Sequence, residues 1–183
     1  MSGEFRIEKL QLADALLLCP FEAGDARGIF VKIADAGILK QLRFEVADVF
    51  FSTSKTNVIR GLHYQHPNPQ AKLVWCAGGS IFDVIVDLRR SSPTYGKWVG
   101  AELSEKNRKI IYAPRGFAHG FLSLQDDSAV YYMCDAPYDK AGDSGIIYND
   151  GKIGIKWPLG KAKPIMSERD SNFPSFDKAQ KFD

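Results

Sequence analysis

Short stretches rich in β-branched and aromatic residues, separated by turn-forming residues, dominate the middle of the chain. The segments between them, such as Gly78-Gly79 and the sequence PRG, favour tight reversals of the backbone. Eight such stretches, which we predict to be strands, lie between residues 43 and 136: RFEVADVFFSTS, NVIRGLHYQ, AKLVWCA, SIFDVIVDL, KWVGAELS, KIIYA, FAHGFLSL and SAVYYMCDA.

This region contains no run of ten or more residues with helical periodicity, which argues against an α/β fold. In FDVIVDL (82–88), apolar residues alternate with Asp83 and Asp87, and this pattern predicts a strand with one buried side. Short helices are expected only near the ends, one after Asp35 as its N-cap and one from about Ser167. The prediction is an all-β sandwich or barrel, formed as a single domain over residues 1–183.

Composition narrows the class of protein further. A hydrophobic fraction of 45%, a charged fraction of 25% and a net charge of +2 are those of an ordinary globular protein, and we expect neither a membrane nor a nucleic acid as partner. The three cysteines lack a CxxC spacing, which predicts neither disulfides nor a zinc site and favours a cytoplasmic location. The apolar run 13–19 follows Glu4 and Glu8, so we interpret it as folded sequence and not as a signal peptide.

Histidines in a small barrel raise the question of a metal site. His63 and His66 have an H-x-x-H spacing, which places them on opposite faces of a strand, and His119 is the only other histidine. Because a metal centre needs three or four converging ligands, we predict none. The sequence also lacks the GxGxxG and GxxxxGK[ST] motifs, and we predict no cofactor.

Polar residues occupy several strand positions that a buried barrel face would normally give to apolar ones. Each histidine alone is equally well explained as a hydrogen-bonded structural residue. Burial of the whole set without a function would be unfavourable, so we predict an acid/base pocket for an anionic ligand. The set consists of Arg60, His63, Lys72, His119 and Tyr132.

Six segments together resemble one family. They are DARGIF (25–30), VIRGLHYQ with PQAKLV (58–74), FDVIVDLRRSSPTYGKW (82–98), APRGFAHGFLSL (113–124), GIKWPL (154–159) and SERD (167–170). In this order they resemble the dTDP-4-dehydrorhamnose 3,5-epimerases. The resemblance implies a cupin-like jelly-roll β-barrel with short peripheral helices, and a homodimer without metal or cofactor. It also implies epimerisation at C3, or at C3 and C5, of a nucleoside-diphosphate 4-keto-6-deoxysugar, in deoxysugar biosynthesis of the O-antigen type.

The resemblance also implies a role for each catalytic residue. His63 would remove the proton made acidic by the C4 ketone, while Asp170 would accept the second ring N–H. Lys72 would stabilise the enolate oxygen, and Tyr132 would return a proton from the opposite face. The alternative for Tyr132 is a packing role.

Further positions correspond to ligand contacts in the family. If Arg60 and His63 are to face one pocket, the strand needs a bulge, for which Gly61 is the obvious place. Asp143 and Arg169 stand where the family usually has glutamate and lysine. The implied ligand-binding residues are Arg60 and His119 near the diphosphate and sugar, Arg27 and Phe30 reaching into the partner's site, and Tyr138, Asp143 and Arg169.

Three positions depart from the family pattern in ways that affect the predicted substrate. Asp48 and Phe50 replace two amides that touch the base, and Lys32 replaces a glutamate. A carboxylate only accepts hydrogen bonds, and it suits an exocyclic amine better than thymine carbonyls. We therefore predict CDP over GDP or dTDP, with a solvent-facing Asp48 as the alternative. A 3,4-ketoisomerase and a non-catalytic sugar-nucleotide-binding barrel remain the rival functions.

Overall fold

The computed structural model describes residues 5–183, and this part of the chain contains thirteen strands and two short helices. The strands are β1 (Arg6–Lys9), β2 (Leu16–Cys19), β3 (Phe21–Asp25), β4 (Gly28–Lys32), β5 (Asp48–Ser54), β6 (Ile59–Gln65), β7 (Lys72–Gly78), β8 (Ser80–Asp87), β9 (Trp98–Ser104), β10 (Ile110–Ala113), β11 (Phe117–Ser123), β12 (Ser128–Cys134) and β13 (Asp143–Gly145). The helices are α1 (Ala36–Gln41) and α2 (Glu168–Ser171).

Two antiparallel sheets face each other across the main core. One has six strands in the order β1-β2-β10-β7-β12-β5, and the other has five in the order β13-β6-β11-β8-β9. The core between them takes apolar side chains from both sheets, including Val74 and Val130 from the first and Ile85 and Phe121 from the second. A separate hairpin is formed by β3 and β4. All eight predicted strands are present, and the all-β prediction is confirmed.

The prediction that β8 has one buried side is wrong, because both of its sides are buried. Its even-numbered apolar residues pack in a second cluster beneath the C-terminal segment, together with Phe176. Its odd-numbered side faces the other sheet, and there Asp83 and Asp87 are fully buried beside Ile85. The acidic side of this strand is therefore the interior of the barrel.

Both predicted helices form, α1 after Asp35 as its predicted N-cap and α2 after Ser167, which the structure shows to be its N-cap. The Asp35 carboxylate accepts the N–H of Ile38 at 3.0 Å, and the Ser167 hydroxyl accepts the N–H of Asp170 at 3.1 Å. These bonds satisfy backbone donors that the first turn of a helix leaves free. Across residues 5–183, neither helix has the length and the apolar run needed to cross a membrane.

A bulge in β6 lies at the predicted glycine. From Arg60 to His63 the strand takes three steps, whereas the paired stretch of β11 from Phe121 to His119 takes two. Gly61 has a φ of +129°, and a Cβ at this position would lie only 2.6 Å from the Cα of a glycine in β11. Glycine suits both conditions, and the extra residue turns Arg60 and His63 toward the same, six-stranded sheet.

Candidate active site

A cavity of about 240 Å³ lies between the two sheets and the segment that carries α2. Its lining residues are Phe50, His63, Tyr64, Gln65, Gln70, Lys72, Tyr138, Asp143 and Arg169. Six of the residues predicted for the site are thus brought together. A larger groove of about 590 Å³, next to Lys9–Leu16, contains none of them and has no comparable set of ionisable side chains.

His63 and Asp170 form a hydrogen-bonded pair at this cavity. The imidazole Nε2 lies 2.9 Å from Asp170 Oδ1, and the N–H of Gly61 donates to Asp170 Oδ2 at 3.0 Å. Burial raises the pKa of Asp170, but the hydrogen bond and charge of His63, together with hydrogen bonds from Gly61 and Ser167, lower it by more, so the net pKa lies below its ordinary value. An ionised Asp170 fixes Nε2 as the protonated nitrogen and leaves Nδ1 free to accept a proton.

Lys72 enters the cavity from β7 in the opposite sheet. No carboxylate of residues 5–183 lies within salt-bridge distance of its ammonium group. Burial lowers the pKa of Lys72, and the charges of Cys134, Asp143 and Asp83 oppose this shift. A partly desolvated ammonium without a carboxylate partner can stabilise negative charge that develops on a ligand.

Tyr132 lies beside this cavity on β12, the neighbour of β7. It is 7% exposed, and its ring stacks on that of Phe50 with centroids 4.8 Å apart and an interplanar angle of 18°. Burial raises the pKa of Tyr132, so the phenol keeps its proton at neutral pH. Phe50 thus contacts the predicted acid, a role that its position in the sequence did not reveal.

A second histidine–aspartate pair is buried behind Tyr132. His119 Nε2 lies 2.7 Å from Asp83 Oδ2, and the His119 ring meets the Tyr132 ring edge to face at 6.0 Å. His119 is 3% exposed and, like Tyr132 and Asp170, is not part of the cavity lining. The sequence reasoning missed Asp83, because it assigned that side of β8 to solvent. The position of Asp83 beside a run of β-branched residues was the available signal that this carboxylate is buried.

The cavity rim carries a second ionic group. The Tyr138 hydroxyl donates to Asp143 Oδ2 at 2.9 Å, and the guanidinium of Arg169 lies 2.8 Å from Asp143 Oδ1. Tyr64, Gln65 and Gln70 complete the lining and were not predicted. The side-chain amides of both glutamines donate to backbone carbonyls, which fixes the loops at the cavity entrance.

Other predicted site residues lie outside the cavity lining. Arg60 donates to the Ser54 hydroxyl and to the carbonyl of Thr53, both in β5 at 3.0 Å. Asp48 accepts the backbone N–H of Tyr138 at 2.8 Å, so one of its carboxylate oxygens already has a structural partner.

The β3–β4 hairpin holds the remaining three predicted residues. Arg27 pairs with Asp25 in the same hairpin and Phe30 is exposed, while Lys32 lies 3.9 Å from Asp35. Within residues 5–183, no three histidine, cysteine or acidic side chains are placed to hold a metal ion.

Comparisons with known proteins agree with this geometry. The family model described as dTDP-4-dehydrorhamnose 3,5-epimerase matches residues 9–178. A dTDP-4-dehydrorhamnose 3,5-epimerase from Methanothermobacter thermautotrophicus is 44% identical over 93% of this chain and 94% of its own. The structure of a dTDP-6-deoxy-D-glucose-3,5-epimerase from Legionella pneumophila, in complex with dTDP-4-keto-L-rhamnose, is similar with a TM-score of 0.93 and 34% identity, over 97% of this chain and 95% of that one.

A 3′-monoepimerase is also similar. It comes from Streptomyces bikiniensis, was solved in complex with dTDP-quinovose, and has a TM-score of 0.84 and 32% identity over 91% of this chain and 85% of that one. The solved structures confirm the predicted cupin-like jelly roll.

Proposed function

Because the chain belongs to the dTDP-4-dehydrorhamnose 3,5-epimerase family, we propose that it epimerises a nucleoside-diphosphate 4-keto-6-deoxysugar at C3 and C5. The observation that carries this proposal is one cavity with a carboxylate-oriented histidine and a lysine that pairs with no carboxylate of residues 5–183. A ketone at C4 acidifies the hydrogens on both neighbouring carbons, so one base and one charge stabiliser serve both positions.

The first step is removal of a proton. His63 Nδ1 takes the C3 or C5 hydrogen as a proton. The electron pair of the C–H bond forms a double bond to C4, and the π pair of the C4 carbonyl moves to its oxygen, which gives an enolate. The ammonium of Lys72 stabilises this oxyanion, and ionised Asp170 stabilises the imidazolium that forms. This assignment is supported by the low pKa of Asp170, which keeps the carboxylate charged at neutral pH.

The second step returns a proton from the opposite face of the ring. His63 belongs to the five-stranded sheet, whereas Tyr132 belongs to the six-stranded sheet that faces it. A sugar ring between the sheets would have the base on one side and the phenol on the other. Tyr132 carries a proton at neutral pH because burial raises its pKa, and it is therefore the proposed acid.

The diphosphate and the base form a separate part of the proposal. Arg60 suits the phosphate oxygens because a guanidinium donates in a fixed fork. Recognition of CDP requires Asp48 to reach the base, but the hydrogen bond from the N–H of Tyr138 already explains a carboxylate at this position. The similar proteins are named for dTDP sugars, and we now favour dTDP over CDP and GDP.

Calorimetry with dTDP, CDP, UDP and GDP tests the choice of nucleotide, and it is independent of whether catalysis occurs. Tightest binding of dTDP is the expected result. Tightest binding of CDP would restore the interpretation of Asp48 as a contact to an exocyclic amine.

We also propose a homodimer in which the hairpin of each subunit completes the partner's site. Large apolar side chains are exposed on the hairpin, at Ile29 (57%) and Phe30 (61%), and on the edge strand β5, at Val49 (57%) and Phe51 (60%). An exposed apolar edge strand favours pairing with another chain.

Complementation between two variants tests the shared site. Arg27→Ala and His63→Ala subunits are expected to be inactive alone and to restore one of the two sites in each mixed dimer. After random mixing in equal amounts half of the dimers are mixed, so about one active site in four is restored. Absence of any restored activity, with mixed dimers present, would place both residues in one subunit's site.

Deuterium exchange tests the reaction itself. In heavy water with dTDP-4-keto-6-deoxyglucose, the wild type is expected to place label at C3 and C5 and to invert both carbons, as read by NMR. Label at C3 alone would make it a monoepimerase, and a carbonyl that moves to C3 would make it a ketoisomerase. Nucleotide binding without exchange would make it a binding protein. A His63→Ala variant should lose exchange and retain nucleotide binding.

A further inference from the structure

We infer that Phe173 is a positioning residue for His63, an inference that rests on the proposed function of His63 as the base. The two rings meet edge to face, with centroids 5.6 Å apart and an interplanar angle of 75°. Phe173 is not among the residues that line the cavity, so it acts on the reaction through the imidazole and not through a ligand.

The fold makes room for this ring at one specific glycine. Gly145 in β13 is the cross-strand partner of His63 in β6. A Cβ at Gly145 would lie 2.4 Å from Cε2 of Phe173, so the ring occupies the space that any other residue's side chain would fill. The next residue, Pro174, accepts the N–H of Ile147 at 3.0 Å, which anchors the segment beside the end of β13.

Arg169 supports the same ring from its face. The guanidinium carbon lies 5.1 Å from the Phe173 ring centroid, while the guanidinium also pairs with Asp143 at 2.8 Å. A planar guanidinium can stack on a ring and bind a carboxylate at once, which a lysine ammonium does less well. This double contact gives a physical reason for arginine at a position where the family usually has lysine.

The contact with Phe173 restricts a rotation that the hydrogen bond between His63 and Asp170, here called the dyad, does not prevent. A single hydrogen bond from Nε2 to Asp170 fixes one atom of the imidazole but allows the ring plane to turn about that bond. The contact with the Phe173 ring limits this rotation and holds Nδ1 toward the cavity. Catalytic groups lose rate steeply when misplaced, so the contact should affect turnover more than substrate binding.

Two variants displace the ring by different routes. Phe173→Leu removes it, and Gly145→Ala pushes it away from His63 while leaving Phe173 in place. Both are expected to lower kcat by about 10- to 100-fold with KM within about twofold, because misplacement of a catalytic group by about 1 Å has effects of this size. In a His63→Ala background, neither change should lower the residual rate further. If the Phe173→Leu variant does not fold, Phe173→Met replaces it, because methionine is of similar volume and has no planar ring.

Two controls separate positioning from loss of stability. Gly151→Ala adds a methyl group where no atom of residues 5–183, apart from the two adjoining residues, lies within 4 Å. Phe176→Leu removes a buried ring that packs in the second cluster, away from the contact between His63 and Phe173. Phe176→Leu should lower Tm and Gly151→Ala should leave it unchanged, and both should keep the wild-type kcat. ¹⁵N NMR of the His63 ring should show a mixture of tautomers or broadened signals only in the Phe173 and Gly145 variants.

The outcomes distinguish this inference from the proposed function. A wild type that exchanges no substrate hydrogen would overturn the proposed function, and with it the role of His63. An active wild type together with a folded Phe173→Leu variant whose kcat is within twofold of it would overturn the positioning role alone. A fall in kcat that persists in the His63→Ala background would also overturn it.

Discussion

Asp170→Asn is the sharpest test of the dyad, because the change keeps the size of the side chain and alters only its hydrogen-bonding chemistry. Asp170 accepts two hydrogen bonds, from His63 Nε2 at 2.9 Å and from the N–H of Gly61 at 3.0 Å. An asparagine has only one oxygen for these two donors. If that oxygen faces Gly61, the amide NH₂ faces the imidazole, so Nε2 must accept and the ring proton moves to Nδ1.

The expected loss of kcat in Asp170→Asn follows from the His63 tautomer with its proton on Nδ1. A protonated Nδ1 cannot take a proton from the substrate, and an imidazole held in the wrong tautomer lowers kcat by on the order of 10³ to 10⁴. At 1.36 kcal/mol per decade, this corresponds to about 4 to 5.5 kcal/mol of activation free energy. The opposite amide orientation leaves the buried N–H of Gly61 without an acceptor, which destabilises the fold by about 1–3 kcal/mol.

Turnover at saturating substrate, deuterium incorporation and thermal unfolding measured together provide the assay. Asp150→Asn is the matched control, because Asp150 is also buried and accepts backbone N–H groups from Lys152, Ile153 and Phe176 away from the cavity. The control should lose stability and keep its kcat. An Asp170→Asn enzyme with kcat within fivefold of the wild type would refute the reasoning that the carboxylate sets the tautomer.

Four further outcomes are expected. Tyr132→Phe should still exchange deuterium into unepimerised substrate by NMR, because abstraction and return on one face need only the base. Lys72→Met should lower kcat by about 10² to 10³ with nucleotide binding kept, since only the oxyanion loses its partner. Gly61→Ala should lower the free energy of unfolding by roughly 2–5 kcal/mol in denaturant titration, because its φ is +129° and the methyl meets Gly120. Because its folded-state pKa is lowered, ionised Asp170 stabilises the fold above the ordinary aspartate pKa of about 3.9, so the stability difference between wild type and Asp170→Asn should shrink as pH falls below about 4.

Seven of the eight predicted strands have seven or eight residues, and the eighth, β10, has the sequence Ile-Ile-Tyr-Ala. The strands that were missed are short or contain turn-forming residues: β1 to β4 have four or five residues each, and β13 is Asp-Ser-Gly. Their pairing is set by neighbours distant in sequence, as when Gly145 of β13 lies opposite His63. Local propensity does not include such partners, and tertiary contacts override it.

In the site, too, the sequence predicts the residue types, whereas distant strands determine several of their partners. The resemblance predicted that His63 and Asp170 act together. The fold brings the two side chains within hydrogen-bond distance. The partners of Asp48 and His119 were not predictable, since a backbone N–H and a buried carboxylate from other strands decide them. A residue type limits what a side chain can do, and only the fold determines which partner it meets.

The two-sheet architecture places the proposed base, His63, and the proposed acid, Tyr132, on sheets that face each other. Lys72 and Tyr132 share the interior face of the six-stranded sheet, since Lys72 pairs with Cys134, two positions along β12 from Tyr132. His63 faces them from the five-stranded sheet, and it does so together with Arg60 only because Gly61 inserts one residue into β6. The proposed inversion therefore depends on strand parity, because a β6 without the bulge would orient either Arg60 or His63 away from the six-stranded sheet.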